Sequence, residues 1–458
     1  MRNHLTDRPP QGPSVFRRLA RHQVLLLALL FFGVSGFVFL RSGEVSDWQN
    51  VFVRAARRLQ TGEPLYRPGD NYTYPPAMAM LSVPLANLPA SLSLWSWYLV
   101  NVGATATTFL CAWRLAGGPA LTDLPARWQA MLSIAALLAG RFFVAPLENR
   151  QFDMVIAALL LAGGYQLWRG RGLLGAALLG GSAAMKCTPL LFAPYLIWRG
   201  KVKAACVLVA VAAILNLLPD VLWPQAGGGW YLETWYTYYL AEVGRFAPGV
   251  WLGGGLGSQS LGGLFNRFMR FASPLSMEPL RGQPLELAQG TLLVVRALVY
   301  GIDLLLLAVT AWRFGRPGTA AGTEGASSPG PVPFDRLRIG MESAAVVCLM
   351  LLLSPMSSKA HYVVLLLPCL ILARLAVERR PPWLVALLVV LAVTGPLTAK
   401  GLLGKRLGDL ALEWGSPTWF ALCSLVGMWA ALGAIRPHYA PSLGPPAEKE
   451  TGNTRREG

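Results

Sequence analysis

Long apolar runs alternate with short polar stretches along nearly the whole of this chain. A helix needs roughly 20 apolar residues to cross a bilayer core, and by this rule the runs predict an all-helical polytopic membrane protein with about 12 transmembrane helices. The expected spans are 24–40, 94–113, 128–145, 152–168, 173–184, 189–198, 204–222, 291–312, 341–353, 362–376, 384–399 and 419–435.

The spans form one membrane body, and no separate soluble domain is expected beside it. We expect a basic cytoplasmic N-terminus at 1–22, a transmembrane domain at 23–435 and a polar cytoplasmic tail at 436–458. Within the domain, a stretch rich in Gly, Ser, Thr, Ala and Pro at 315–333 predicts a disordered cytoplasmic linker. The apolar segment 77–88 is short and flanked by prolines, so it is expected to be re-entrant or interfacial.

Basic short loops set the expected orientation, because Lys and Arg are enriched in cytoplasmic loops. Placing the N-terminus and the loops 169–171, 199–203 and 379–380 in the cytoplasm puts both termini there. The opposite face then carries most of the unusual polar and helix-breaking residues. Such residues rarely occur at membrane depth unless they line a cavity. We therefore expect a cleft at the extracytoplasmic face of a plasma (inner) membrane.

The segment after the first expected span has a helical period of its own. One face of residues 47–59 is apolar, and the opposite face carries Arg54 and Arg58. The apolar stripe consists of Trp48, Phe52, Ala55 and Leu59. Apolar side chains that enter the headgroup boundary, with arginines that meet phosphates, are typical of an interfacial helix.

Composition narrows the class of function. Of the 458 residues 54% are hydrophobic and 14% are charged, against roughly 25% charged residues in a typical soluble domain. The net charge of +17 comes mostly from span ends, so no nucleic-acid partner is expected. The six cysteines show no CxxC spacing and are expected to be free, buried thiols. No metal or nucleotide motif is present, so neither a metal nor a cofactor is expected.

Three ionisable residues on the expected outer face each allow two interpretations. Asp47 could cap the helix that follows it, or act as a general base that takes a proton from an attacking hydroxyl. Lys186 interrupts an apolar run before Pro189, and its ammonium group could snorkel to the interface or serve as a fixed charge for a phosphate. His361 could be structural, or could form an anion site with its neighbour Lys359.

Other polar and aromatic residues on this face fit structural roles as well. Gln151 and Asp153 could cap the helix after them, and Tyr74 with the two prolines after it sets a stiff turn. The loop 223–290 is rich in aromatic residues, which suit either a belt at headgroup level or a groove for sugar rings and isoprenoid chains. These residues are Trp230, Tyr231, Trp235, Tyr236, Tyr238, Tyr239 and Trp251.

Five short stretches follow one another in a fixed order. They are DWQNVFVRAARRLQTGEPLY at 47–66, YTYPPAMAMLSVPLANLP at 72–89, ENRQFDM to YLIWRGK at 148–201, GSQSLGGLFNRF at 257–268 and LLLSPMSSKAHYVVLLLPCLIL at 351–372. Together they resemble glycosyltransferase family 87 over most of the chain. Two positions depart from the family's pattern: Ser258 stands where asparagine is frequent, and Arg150 replaces the glycine before Gln151.

The resemblance implies a GT-C-like helical bundle with interfacial helices in its first outer loop. It also implies transfer of a hexose, with mannose as the expected sugar, from a polyprenyl-phosphate donor to a lipid or glycan acceptor. By the resemblance Asp47 is the catalytic base, His361 lies near the donor phosphate, and Lys186 holds that phosphate. Attack in a single displacement would invert the anomeric carbon. The further residues expected to bind substrate are Arg54, Gln151, Gln259 and Tyr74.

Two other classes of function fit the same outer cleft. A transporter or flippase for a lipid-linked sugar would need an inner opening and, in many folds, inverted repeats. A membrane scaffold with an inactive site is the third hypothesis. Substitution of Asp47 separates the hypotheses, because a scaffold does not depend on one carboxylate.

Overall fold

The computed structural model describes residues 32–41, 46–67, 71–121, 124–241, 256–272, 289–315 and 334–434. Within these ranges every regular element is a helix. The N-terminus at 1–22, nearly all of the linker at 315–333, the tail at 436–458 and Trp251 lie outside the described residues. The division of the chain into these regions stays a prediction.

The helices are numbered here in chain order. They are α1 (Phe32–Arg41), α2 (the π-helix Trp48–Val53 continued by Arg54–Gln60), α3 (Pro76–Ala86), α4 (Ala90–Leu115), α5 (Ala126–Glu148), α6 (Asp153–Trp168), α7 (Gly172–Met185), α8 (Phe192–Trp198, after the 3-10 turn Thr188–Leu191) and α9 (Val202–Leu222). The second half comprises α10 (Tyr231–Trp235 continued by the π-helix Tyr236–Leu240), α11 (Leu261–Ala272), α12 (Gln289–Phe314), α13 (Phe334–Leu353), α14 (Leu366–Arg379, after the 3-10 turn Lys359–Leu365), α15 (Pro382–Thr394), α16 (Lys400–Glu413) and α17 (Ser416–Ala434).

Several of these helices can cross a membrane. Five helices of the described chain are long and apolar enough, namely α5, α9, α12, α14 together with its 3-10 turn, and α17. The number is six if α15 and α16, which meet at a bend of 93°, count as one span. The prediction of an all-helical membrane protein is therefore confirmed for the described residues, whereas the number of about 12 spans stays a prediction.

Two clusters of buried side chains hold the helices together. The larger cluster fills the space between α4 to α9 on one side and α13, α14 and α17 on the other. The smaller cluster joins α2 and α3 to α4, the start of α6 and the aromatic residues of α10. Glycines allow α6 and α7 to approach closely, because a methyl carbon on Gly175 would lie 2.8 Å from the carbonyl oxygen of Gly163.

The basic loops and the predicted outer residues lie at opposite ends of the bundle, and which end faces the cytoplasm stays a prediction. At one end Arg199 donates to the carbonyl of Phe314, and Arg374 donates to that of Ala116. This is the end with the basic loops. The predicted outer residues meet at the opposite end, where the backbone N–H of Asp47 donates to the backbone carbonyl of Asn149 over 3.1 Å.

The apolar stripe of α2 faces the protein and not the lipid. Trp48, Phe52 and Leu59 are fully buried, and the Trp48 ring stacks on Trp97 of α4 with centroids 4.4 Å apart. The interpretation of this stripe as a surface that enters the headgroup boundary was wrong. Helical periodicity shows that a helix has one apolar face, but not whether lipid or protein covers it.

Two smaller expectations also need correction. The helix α16 was not predicted, because Gly401, Gly404 and several charged residues break its apolar pattern. The six cysteines are free, as expected, but Cys206 is exposed, whereas Cys111, Cys348 and Cys369 are buried.

Candidate active site

Asp47 lies at the start of α2, where it bonds to the loop between α5 and α6. Its side chain makes no capping bond to the helix, so the capping interpretation does not apply. Instead its Oδ2 accepts a 2.6 Å hydrogen bond from Nε2 of Gln151. No other hydrogen bond to its carboxylate is formed by the residues that the structure describes, so Oδ1 is available to a substrate hydroxyl.

Arg150 fixes this loop in an unusual backbone conformation. Its φ of 55° lies in the left-handed region, which glycine adopts without strain and other residues adopt at a cost of roughly 1–2 kcal/mol. Glycosyltransferase family 87, which the sequence resembles, has glycine at this position. The buried Arg150 side chain donates from Nε to the carbonyl of Phe39 over 3.0 Å and contacts the Ser46 hydroxyl at 3.3 Å. Arg150 therefore ties the end of α1 to the residue before Asp47.

The surroundings of Asp47 make its carboxylate more basic. Burial raises the pKa of Asp47 above its ordinary value, the hydrogen bond from Gln151 lowers this pKa, and the negative charge of Asp153 raises it. The net effect is a raised pKa. A carboxylate of this kind is a stronger proton acceptor than an exposed aspartate.

A second acid, Asp153, joins Lys186 and His361, the two basic side chains that the sequence singles out. Oδ1 of Asp153 lies 3.2 Å from Nζ of Lys186 and 3.6 Å from Nε2 of His361. The Lys186 side chain is 16% exposed and points to this carboxylate, so it does not snorkel to a distant interface. Asp153 does not cap α6 either, since the helix begins without a side-chain cap.

A cavity of about 350 Å³ opens beside this cluster. Lys186, His361 and Tyr74 contribute to its wall, together with Thr73, Thr188 and Ser354. The remaining wall is largely apolar and includes Leu191, Trp235, Leu240, Met350, Leu353 and Met356. One side of the cavity can thus bind an anion, and the other can bind a hydrocarbon chain.

The Tyr74 turn is held in place by aromatic side chains from two parts of the chain. The hydroxyl groups of Tyr66 and Tyr239 donate to the carbonyls of Tyr74 and Tyr72, each over 2.9 Å. The indole N–H of Trp235 donates to the carbonyl of Thr73 over 3.0 Å. Two aromatic residues of the loop 223–290, Trp235 and Tyr239, are therefore buried supports of the turn. Tyr231 is buried as well, whereas Trp230, Tyr236 and Tyr238 are exposed.

Tyr74 itself remains a neutral hydroxyl group. Burial raises its pKa, and the negative charges of Asp153 and Asp47 raise it further. Its hydroxyl makes no hydrogen bond to any residue described by the structure. It is therefore free to donate to a ligand in the cavity.

Four predicted residues do not line the cavity. Asp47 and Gln151 are not part of the cavity wall, but Asp47 is close enough to Asp153 for the two acids to interact. Arg54 is exposed on α2. Gln259 is fully buried, and its carbonyl accepts hydrogen bonds of 2.6 Å from both Tyr362 and Thr418. Its position favours a packing role, so substrate binding by Gln259 and Arg54 stays a prediction.

Sequence reasoning missed Asp153 as a part of the site. The only local signal was an acid at the first turn of an apolar helix, which is the usual place for a helix-stabilising acid. The described residues contain no group of three or more His, Cys, Asp or Glu side chains arranged to hold a metal. That the protein uses neither a metal nor a cofactor stays a prediction.

Comparison with known proteins identifies the family. The model of glycosyltransferase family 87 matches residues 72–328, which is more than half of the chain. The chain belongs to this family. Tyr74, Gln151, Asp153, Lys186 and Gln259 lie within the matched residues, whereas Asp47 and His361 lie outside them.

Two relatives come from Mycobacterium tuberculosis. One, a polyprenol-phosphate-mannose-dependent alpha-(1-2)-phosphatidylinositol mannoside mannosyltransferase, is 26% identical over 91% of this chain and 93% of its own length. The other is a polyprenol-phosphate-mannose-dependent alpha-(1-2)-phosphatidylinositol pentamannoside mannosyltransferase. It is 27% identical over 39% of this chain and 38% of its own length.

Among solved structures, the chain is similar to ArnT from Cupriavidus metallidurans bound to undecaprenyl phosphate. The TM-score is 0.40 at 15% identity, and the match covers 89% of this chain and 76% of the other.

Proposed function

We propose that this family 87 member is a membrane mannosyltransferase that uses a polyprenyl-phosphate sugar as donor. It transfers the sugar to a hydroxyl of a lipid or glycan acceptor at the extracytoplasmic face of the plasma membrane. The observation that carries the proposal is the cavity, in which Lys186 and His361 face an apolar wall. Asp47, whose pKa is raised, interacts with the Asp153 that these two side chains contact. The polyprenol-phosphate-mannose dependence of both relatives supports the choice of donor.

The reaction we propose is a single displacement. The acceptor hydroxyl oxygen attacks the anomeric carbon, and Asp47 takes the hydroxyl proton. The bond between the anomeric carbon and the phosphate oxygen breaks, and its electron pair stays on that oxygen. Lys186 and His361 stabilise the charge that develops on the polyprenyl phosphate, with Arg54 as a further cation. Attack opposite the leaving group inverts the anomeric carbon.

The lipid nature of the donor explains the apolar side of the cavity. Methionine and leucine side chains, among them Met350 and Leu353, suit an isoprenoid chain because they are apolar and adaptable. The anionic headgroup would then meet the polar wall while the chain leaves toward the bilayer. Gln151 would orient the Asp47 carboxylate, and Tyr74 would donate to the sugar or its phosphate.

The proposal is tested by sugar transfer from synthetic polyprenyl-phosphate mannose with purified protein and candidate acceptors. Asp47→Asn should abolish transfer and retain binding of polyprenyl phosphate. Glu63→Gln is the matched control, because it neutralises an exposed acid in the same outer loop and should leave transfer unchanged.

Each other outcome identifies a different failure of the proposal. Equal transfer by Asp47→Asn and the wild type would remove Asp47 from the chemistry. If the wild type binds polyprenyl phosphate yet transfers no sugar to any acceptor, the transporter or scaffold hypothesis is favoured.

A further inference from the structure

Asp153 connects three distant parts of the chain at one oxygen atom. It begins α6, while Lys186 follows α7 and His361 lies in the 3-10 turn before α14. The Asp153 side chain is 4% exposed, and its Oδ1 faces Nζ of Lys186 at 3.2 Å and Nε2 of His361 at 3.6 Å. A buried carboxylate between an ammonium group and an imidazole N–H is satisfied by them, and it fixes where they point.

The orientation of the His361 ring is determined from both sides. Its Nδ1 accepts the backbone N–H of Ser358 over 3.0 Å. In the neutral ring the proton is therefore on Nε2, which faces Asp153. Without the carboxylate, this N–H would lie beside the Lys186 ammonium group with no acceptor between them.

Asp153 is poorly placed to act as the base itself. Its Oδ1 is engaged by Lys186, and the carboxylate is almost completely buried. Asp47, in contrast, is partly exposed and has an oxygen free of hydrogen bonds to the described residues. The two acids therefore suit different tasks.

We propose that Asp153 is a positioning residue that holds the Lys186 ammonium group and the Nε2–H of His361 at the cavity wall, where both bind the phosphate of the lipid donor. The inference rests on the proposed function, since it assumes a phosphate in the cavity. An ammonium group has three N–H donors, so Lys186 can bond to Asp153 and to a phosphate at the same time.

The charge on Lys186 provides a readout that a purely structural role would not affect. Burial lowers the pKa of Lys186, and the negative charge of Asp153 works against this effect. Lys186 binds phosphate in its protonated form, so binding weakens as the pH rises through this pKa. Removing Asp153 lowers the pKa further, and the loss of binding moves to lower pH. The other titratable groups at this place are His361, Asp47, Tyr74 and Cys187.

The experiment measures the affinity of the purified protein for polyprenyl phosphate between about pH 7.5 and 10, where the phosphate monoester, with a second pKa of about 6, no longer titrates. Asp153→Asn should lose affinity at lower pH than the wild type, by about tenfold per pH unit once Lys186 deprotonates. Asp153→Glu keeps the charge and should restore the wild-type profile in part. Asp303→Asn, which neutralises a half-buried acid of α12, is the matched control and should not move the profile.

The double variant Asp153→Asn with Lys186→Met guards against a folding defect, because it removes both charges of the pair. It should bind weakly, like Lys186→Met alone, and without the alkaline loss. A profile of Asp153→Asn that coincides with that of the wild type contradicts the inference, and so does a double variant that still shows the alkaline loss.

The two proposals fail in different ways. If the wild type transfers sugar and the pH profile of affinity is the same for Asp153→Asn and the wild type, only the positioning role is contradicted. If polyprenyl phosphate binds with the expected pH profiles but the wild type transfers no sugar, only the proposed transferase function is contradicted.

Discussion

The close approach of α6 and α7 should control the pair of Asp153 and Lys186, and Gly175→Ala tests this dependence. The two helices run antiparallel, with Asp153 at the start of α6 and Lys186 just after α7. Both residues lie 10 or 11 positions from the contact between Gly163 and Gly175, which is about 15 Å along each helix at 1.5 Å per residue. A change in helix separation at the contact is therefore carried to the ion pair.

The size of the change follows from the structure. A methyl carbon on Gly175 would lie 2.8 Å from the carbonyl oxygen of Gly163, about 0.6 Å short of the 3.4 Å at which ordinary contact begins. A matching separation would lengthen the 3.2 Å ion pair to about 3.8 Å, beyond hydrogen-bond distance. Hydrogen bonds to charged groups contribute roughly 1.5–3 kcal/mol, and 1.4 kcal/mol corresponds to a factor of ten. We therefore expect kcat/KM for the donor to fall by about tenfold or more.

The assay is sugar transfer at varied donor concentration, with the folded state checked by size exclusion and thermal unfolding. Gly172→Ala is the control, because it makes the same chemical change on α7 at a position with no atom within 4 Å of the added carbon. If Gly175→Ala transfers sugar as fast as Gly172→Ala, the helix contact does not govern the ion pair.

Two further predictions concern the loop that carries Gln151. If Asp47 is the base, kcat/KM should fall as the pH drops through the raised pKa of Asp47. Gln151→Leu removes a hydrogen bond that lowers this pKa. The acid limb of the pH profile of kcat/KM should therefore move to higher pH in this variant. Movement to lower pH would contradict this assignment. Arg150→Gly and Arg150→Ala both lose the contacts to Phe39 and Ser46, but only alanine keeps the backbone strain at φ 55°. The alanine variant should therefore be less stable by about 1 kcal/mol in thermal or chemical unfolding, and equal stability would show that the strain is absent.

The sequence is sufficient to predict the helical membrane architecture, because an apolar run of helical length has few other solutions in lipid. Most expected spans coincide with helices of the described chain. The partner of the α2 stripe was not predictable, since an apolar face fits lipid and protein equally well. For the site, residue types that interrupt apolar runs identified Lys186 and His361. The role of Asp153 required the fold, because its partners lie on other helices and no local pattern links them.

The support of the Tyr74 turn has a consequence for engineering. The carbonyls of Tyr72, Thr73 and Tyr74 are held by Tyr239, Trp235 and Tyr66, so the path of the backbone does not depend on the Tyr74 side chain. Residue 74 can therefore be exchanged while these three hydrogen bonds are kept. If the proposed sugar donor binds in this cavity, a small library at this single position is a direct way to alter which donors the protein uses.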